Sequence, residues 1–128
     1  MTQIEVGKIS AMMQRGVVFS PECPSRAILN HVTSRWGVLV LVALHGGTLR
    51  FSELRRKIGG VSEKMLAQTL QQLEQDGFIN RLSHPVVPPH VEYSLTALGE
   101  GIGAQVESLI DWIETNLPKI IEAQQTRA

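Results

Sequence analysis

The chain has 128 residues, a formal net charge of +0, 43% hydrophobic residues and 19% charged residues. These values predict a single globular domain with its own core and exclude an intrinsically disordered chain. A lone cysteine excludes an internal disulfide framework and a multi-cysteine zinc site, and it favours a reducing compartment.

No targeting segment is recognisable in the sequence. The first 19 residues lack the apolar core of a signal peptide. The longest apolar run, residues 36–44, has 9 residues, whereas a bilayer span needs about 20. We therefore expect a cytoplasmic protein without a membrane partner.

Two helices are predicted in the first third of the chain. Residues 1–22 are expected to be an extension, either flexible or helical. A helix is predicted over residues 24–32, because Pro24 suits a first helical turn. Residues 36–44 are apolar all round and predict a buried helix, which Thr33 or Ser34 would cap and Gly46 would end.

A helix-turn-helix is predicted next. Residues 51–58 form the first, short helix, with Ser52 as its N-cap, and a glycine pair follows it. Ser62 is expected to cap a longer helix that runs to Asp76 and stops at the next glycine. Leucines at positions 66, 70 and 73 recur at spacings of 4 and 3, which predicts one buried face.

A β-hairpin and a long helix complete the prediction. Residues 78–83 and 91–95 are the expected strands, joined by a proline-rich tip. Thr96 would cap the last helix, and Pro118 would kink or break it near residues 114–117. An apolar seam follows this helix at spacings of 3 and 4: Leu98, Ile102, Val106, Leu109, Ile113, Leu117 and Ile120.

The second helix of a helix-turn-helix is the one that enters the major groove of DNA. Its outward face here carries lysine and glutamine, which pair with base edges, although a solvated face would carry the same residue types. The hairpin and the basic first helix favour DNA. The expected base contacts are Ser62, Glu63, Lys64, Gln68 and Gln71. The expected phosphate contacts are Arg50, Ser52, Arg55, Arg56, Lys57, Arg81, His84 and His90.

The zero net charge is the sum of two opposite regions. Residues 26–81 contain 8 basic and 4 acidic residues, whereas residues 92–128 contain 2 basic and 6 acidic residues. The basic region coincides with the helix-turn-helix and the start of the hairpin. The average charge therefore does not argue against nucleic acid as a partner.

Five stretches with fixed order and spacing lie within residues 23–101, the part of the chain that the resemblance below covers. They are Cys23-Pro24 through Ser34-Arg35-Trp36, RFSELR at 50–55, VSEKML at 61–66, LEQDGF at 73–78 and PPHVEYSLT at 88–96. In these stretches the chain resembles the HxlR-type winged-helix transcriptional regulators of bacteria. The resemblance implies a homodimeric DNA-binding regulator, more commonly a repressor than an activator, that dimerises through its first and last helices.

The expected fold is mainly α with a small β-hairpin wing (α+β). A winged helix-turn-helix would occupy residues 23–101 and a dimerisation helix residues 97–128, with the seven seam residues at the dimer interface. Double-stranded DNA carrying a pseudo-palindromic operator and a second copy of the chain are the expected partners. Neither a cofactor nor an enzymatic activity is predicted.

Cys23 has two interpretations. In some members of the family it resembles, a cysteine at this position senses electrophiles or oxidants, and a helix N-terminus lowers a thiol pKa. Alternatively, Cys23 is a small buried apolar residue at the dimer interface. With one cysteine per chain, a disulfide would require a second subunit or a small thiol.

Other functions are weaker interpretations of the same residues. His84 and His90 flank the wing tip near Glu92, but without a third well-spaced ligand no metal site is predicted. A winged-helix protein-interaction module would use the same surfaces to bind a protein. A regulator with a non-covalent small-molecule effector is also compatible with the sequence.

Overall fold

A computed structural model describes residues 18–127, so most of the expected N-terminal extension lies outside the described residues. The chain divides into two compact units, one ending at Ser34 and the other beginning at Arg35.

The described part of the first unit consists of one helix, α1 (Pro24–Val32). Cys23 occupies its N-cap position and Pro24 its first turn, as predicted. Thr33 is the C-cap, and its hydroxyl donates to the Leu29 carbonyl at 2.7 Å. The Ser34 hydroxyl donates to the His31 carbonyl at 2.8 Å, so both side chains serve the end of this helix.

The second unit contains four helices and three strands within the described residues. In chain order they are α2 (Arg35–His45), β1 (Leu49–Arg50), α3 (Phe51–Lys57), α4 (Glu63–Gln75), β2 (Ile79–His84), β3 (His90–Leu95) and α5 (Ala97–Thr126). The strands form one antiparallel sheet in the order β1-β3-β2. The predicted helix-turn-helix and the predicted two-stranded wing are confirmed. Strand β1 is a third strand that was not predicted.

The core of this unit forms around α2. Leu41 and Leu44 of this apolar helix are fully buried, as is Leu54 of α3. The 4-and-3 spacing in α4 has the predicted effect, because its three leucines are buried together: Leu66, Leu70 and Leu73. The sheet adds Ile79 and Tyr93 from its inner face. This burial packs both α3 and α4 against α2.

The helix caps confirm two predictions and correct one. Ser62 accepts from the Met65 N–H at 3.1 Å, and Thr96 accepts from the Gly99 N–H at 3.0 Å. Ser52 is not the cap of α3, because that helix already begins at Phe51. Arg50 occupies the N-cap position, and its own N–H donates to the Glu53 carboxylate at 2.8 Å.

Helix α5 is one element of 30 residues that continues through Pro118. The predicted break is therefore wrong; a proline removes only one backbone donor, which an otherwise intact helix can tolerate. Its first half is fixed to α2, where His45 lies between Glu107, against Nδ1, and Glu100, 3.7 Å from Nε2.

Within residues 18–127, no single helix has both the length and the hydropathy to cross a membrane. Pro24–Val32 and Arg35–His45 reach that composition only when taken as a pair.

Candidate nucleic-acid interface

The outward face of α4 is open to solvent. Lys64, Gln68 and Gln71 are exposed, whereas the leucines on the opposite side are buried. The buried leucines fix the rotation of the helix about its axis, so the polar face cannot turn inward without exposing them. Met65 is also 41% exposed, an apolar group on this surface that polarity patterns do not detect. The arrangement suits contacts to base edges, including a thymine methyl group.

Arg55 and Glu63 are paired with each other. The Nη1 of Arg55 lies 3.2 Å from Oε1 of Glu63, and the Arg55 Nε donates to the Val61 carbonyl at 3.5 Å. The pair therefore joins α3 to the first turn of α4 across the connecting turn. Both were predicted as separate DNA contacts, Arg55 to phosphate and Glu63 to a base. Here they form an exposed ion pair with each other, the Arg55–Glu63 brace.

A groove of about 760 Å³ lies between α3 and the start of α4. It brings predicted phosphate and base contacts together: Ser52, Arg55, Arg56, Ser62 and Glu63 all line it. Arg50 and Lys57 are exposed at the two ends of α3. The cationic side chains of α3 thus border the open face of α4, as a phosphate backbone beside a major-groove helix requires.

The wing divides its predicted contacts between two faces. Arg81 pairs in register with Tyr93 and lines a second groove, of about 390 Å³, together with Gln71 and Glu74 of α4. His84 and His90 pair directly opposite each other nearer the tip. Since side chains alternate along a strand, the histidines lie on the other face of the hairpin from Arg81.

The apolar seam of α5 also divides in two. Val106 is only 6% exposed and packs within the chain itself, which corrects its prediction as a subunit contact. Beyond it the seam residues Leu109, Ile113 and Leu117 are exposed, and two apolar neighbours outside the seam are exposed beside them: Trp112, at 60%, and Ile121. Leu98 is exposed as well, at the start of the helix, while Ile102 and Ile120 are half-buried.

Cys23 is 5% exposed, at the N-terminus of α1. Burial opposes ionisation of its thiol. Hydrogen bonds from the Ser25 N–H, the Ser25 hydroxyl and the Arg26 N–H outweigh that effect and hold the pKa of Cys23 below its ordinary value. A thiolate is the nucleophilic form of cysteine, so this site combines restricted access with a favoured reactive state.

The fold agrees with comparisons to known proteins. Residues 31–121 match the family described as HxlR-like helix-turn-helix. The chain belongs to this family. An HTH-type transcriptional regulator of Escherichia coli K12, YtfH, is 64% identical over 120 residues, which cover 94% of this chain and 95% of that protein. This HxlR-like protein is accordingly a transcriptional regulator of the helix-turn-helix type and not an enzyme.

Two solved structures support the same assignment. The regulator YtfH from Salmonella typhimurium has 68% identity and a TM-score of 0.80, covering 84% of this chain and 96% of that one. The redox regulator HypR in its oxidised form has 34% identity and a TM-score of 0.68, covering 73% of this HxlR-like chain and 97% of its own.

Proposed function

We propose that this regulator represses transcription by binding a pseudo-palindromic operator as a homodimer, with α4 of each copy in a major groove. The observation that carries the proposal is the open, carboxylate-poor side of α4, where Lys64, Gln68 and Gln71 stand over three buried leucines. Glutamine pairs bidentately with adenine, and lysine reaches guanine. Two such helices would lie about 34–36 Å apart, one turn of B-DNA.

Phosphate contacts would come from the side chains around α3. Arg56 lines the groove beside α4, and Arg50 and Lys57 lie at either end of the short helix. Arg55 would act mainly through its brace to Glu63, which positions the first turn of α4. Arg81 would add a positive charge between α4 and the wing. These cations account for affinity, and the α4 face for sequence preference.

The second copy would bind along the open half of the α5 seam. An exposed stripe containing one tryptophan and several branched aliphatic side chains is typical of a subunit interface, where aromatic anchors contribute most of the affinity. The acidic C-terminal region would then lie at the dimer axis, away from the two basic α4 faces.

Cys23 would provide the signal that releases the operator. Its lowered pKa and its position at a helix N-terminus favour attack on an electrophile such as a quinone, and the similarity to a redox regulator is consistent with this role. Addition places a bulky group at a site that is 5% exposed. Local repacking of α1 around the added group would then lower the affinity for the operator.

Selection of bound sequences from a random duplex pool tests the proposal. We expect enrichment of an inverted repeat with half-sites one helical turn apart, and affinity that falls steeply with salt concentration. If no sequence is enriched and binding does not depend on salt concentration, the result would instead favour a protein-interaction module. Quinone treatment should release the selected duplex from the native chain but not from a Cys23→Ser variant; release from both would indicate an effector that does not act through the thiol.

A further inference from the structure

Three side chains with metal-binding atoms converge on one face of the wing. His84, the last residue of β2, pairs in register with His90, the first residue of β3. Glu92 lies two residues further along β3 and is therefore on the same face as His90. The strand register, rather than a sequence motif, brings the three together.

Their geometry is close to that of a coordination site. The two imidazole rings stack with centroids 4.6 Å apart, and Nε2 of His84 lies 2.5 Å from Oε1 of Glu92. One ligand atom from each side chain lies within 4.8 Å of the others. Bonds of about 2.0–2.1 Å in a tetrahedral zinc site place ligand atoms about 3.3 Å apart. The ligand-atom separations are therefore all within about 1.5 Å of the spacing that a tetrahedral site requires.

We propose that the wing binds one divalent transition-metal ion through His84, His90 and Glu92. Two imidazoles and a carboxylate form a ligand set that suits zinc, and imidazole disfavours magnesium and calcium. A fourth position stays open to water or an external ligand. All three side chains are half-buried, which restricts their rotamers while leaving an entry path for the ion.

The bound ion would join β2 to β3 at the mouth of the loop formed by residues 85–89. This loop contains three of the chain's six prolines and has no strand pairing of its own. Arg50 of β1 pairs in register with Glu92, so its side chain starts from the same face of the sheet as the three ligands. The ion must replace the His84–Glu92 contact. Binding of the ion does not depend on the DNA proposal, because it can be measured without DNA.

Equilibrium dialysis of the tag-free, metal-stripped full-length protein against zinc chloride tests the site. One zinc per chain is expected. Loss of an outer-sphere partner alone weakens metal binding about 10- to 100-fold, so His84→Asn, His90→Asn and Glu92→Gln should each weaken it at least about 100-fold. His31→Asn removes an imidazole elsewhere in the chain and Cys23→Ser removes the thiol; both variants should bind zinc as the native chain does.

A second measurement needs no variant. Zinc should shift the imidazole resonances of two histidines in the native protein and leave the other two of the four unchanged. Cobalt should give the intense visible absorption of a tetrahedral site. The proposal would be overturned by any of three results. These are the absence of stoichiometric zinc, zinc binding that none of the three single ligand substitutions weakens, and loss of zinc binding in Cys23→Ser.

Discussion

Gly99 lies against the backbone carbonyl of Phe78, so close that a Cβ on this glycine would be 1.9 Å from the carbonyl oxygen. The contact is between two main chains, where neither side can rotate away. It joins the first turn of α5 to the residue before β2. Close approach is therefore the reason for this glycine.

Replacing Gly99 by alanine should destabilise the protein by about 3 kcal/mol or more, because the added methyl group forces the backbone apart. Gly101 is the matched control: nothing lies within 4 Å of its Cβ position, so Gly101→Ala should stabilise α5 by about 0.5–1 kcal/mol. Urea unfolding followed by circular dichroism measures both. Equal destabilisation by the two substitutions would contradict the backbone-contact explanation.

Substitutions on α3 and α4 should separate affinity from specificity. Arg56→Ala is expected to weaken operator and random duplexes by a similar factor and to lower the salt slope by about one, since it removes a phosphate contact. Gln68→Ala should cost about 1–3 kcal/mol on the operator alone and relax preference at one base pair. Fluorescence anisotropy over a salt series measures both effects. Equal losses on the two duplexes for Gln68→Ala would remove it from the base-reading set.

The open part of the α5 seam should control association. Trp112→Ala is expected to raise the dimer dissociation constant at least about 30-fold, because a buried tryptophan anchor contributes at least about 2 kcal/mol. Thr115→Ala, on the polar side of the same helix, should leave the constant unchanged. Sedimentation equilibrium provides the measurement.

Val106 distinguishes folding from association on that helix. Val106→Ala should lower the free energy of unfolding by about 2 kcal/mol, because its side chain is buried within one chain. Its effect on the dissociation constant should be less than about threefold. A dimer that resists Trp112→Ala but dissociates in Val106→Ala would place the interface elsewhere.

Cys23 should react over a lower pH range than a free thiol. The thiolate is the reactive form, and the pKa is lowered, so the alkylation rate should reach half its maximum at a lower pH than for glutathione treated in parallel. Iodoacetamide labelling followed by mass spectrometry reports on this residue alone, since the chain has one cysteine. A midpoint at or above that of glutathione would show that burial prevails over the hydrogen bonds of α1.

Local patterns were sufficient to predict the helices of the helix-turn-helix. The leucine spacing and the Ser62 cap act within one helix, so a single sequence determines them. Strand β1 was missed because two residues carry no periodicity, and they become a strand only by pairing with Tyr93 and Glu92 of β3.

Long-range placement accounts for the other differences. The expected strands ended at Ser83 and began again at Val91, which left both wing histidines in the loop. The observed pairing continues for one more residue on each strand and places the rings face to face. The Arg55–Glu63 brace and the burial of Val106 likewise depend on how separate elements pack, which neither charge nor apolar spacing reveals.

The continuity of α5 has a mechanical consequence. Val106 is the last buried residue along the helix within the described range, and about 20 residues, or about 30 Å of helix, extend beyond it. A tilt of about 5° at Val106 would displace the far end by roughly 2.6 Å over that length. In the proposed dimer, the helix is a lever arm that converts small repacking at its base into a change in the distance between the two α4 helices. The allowed spacing of operator half-sites would then depend on how firmly His45, between Glu100 and Glu107, holds that base.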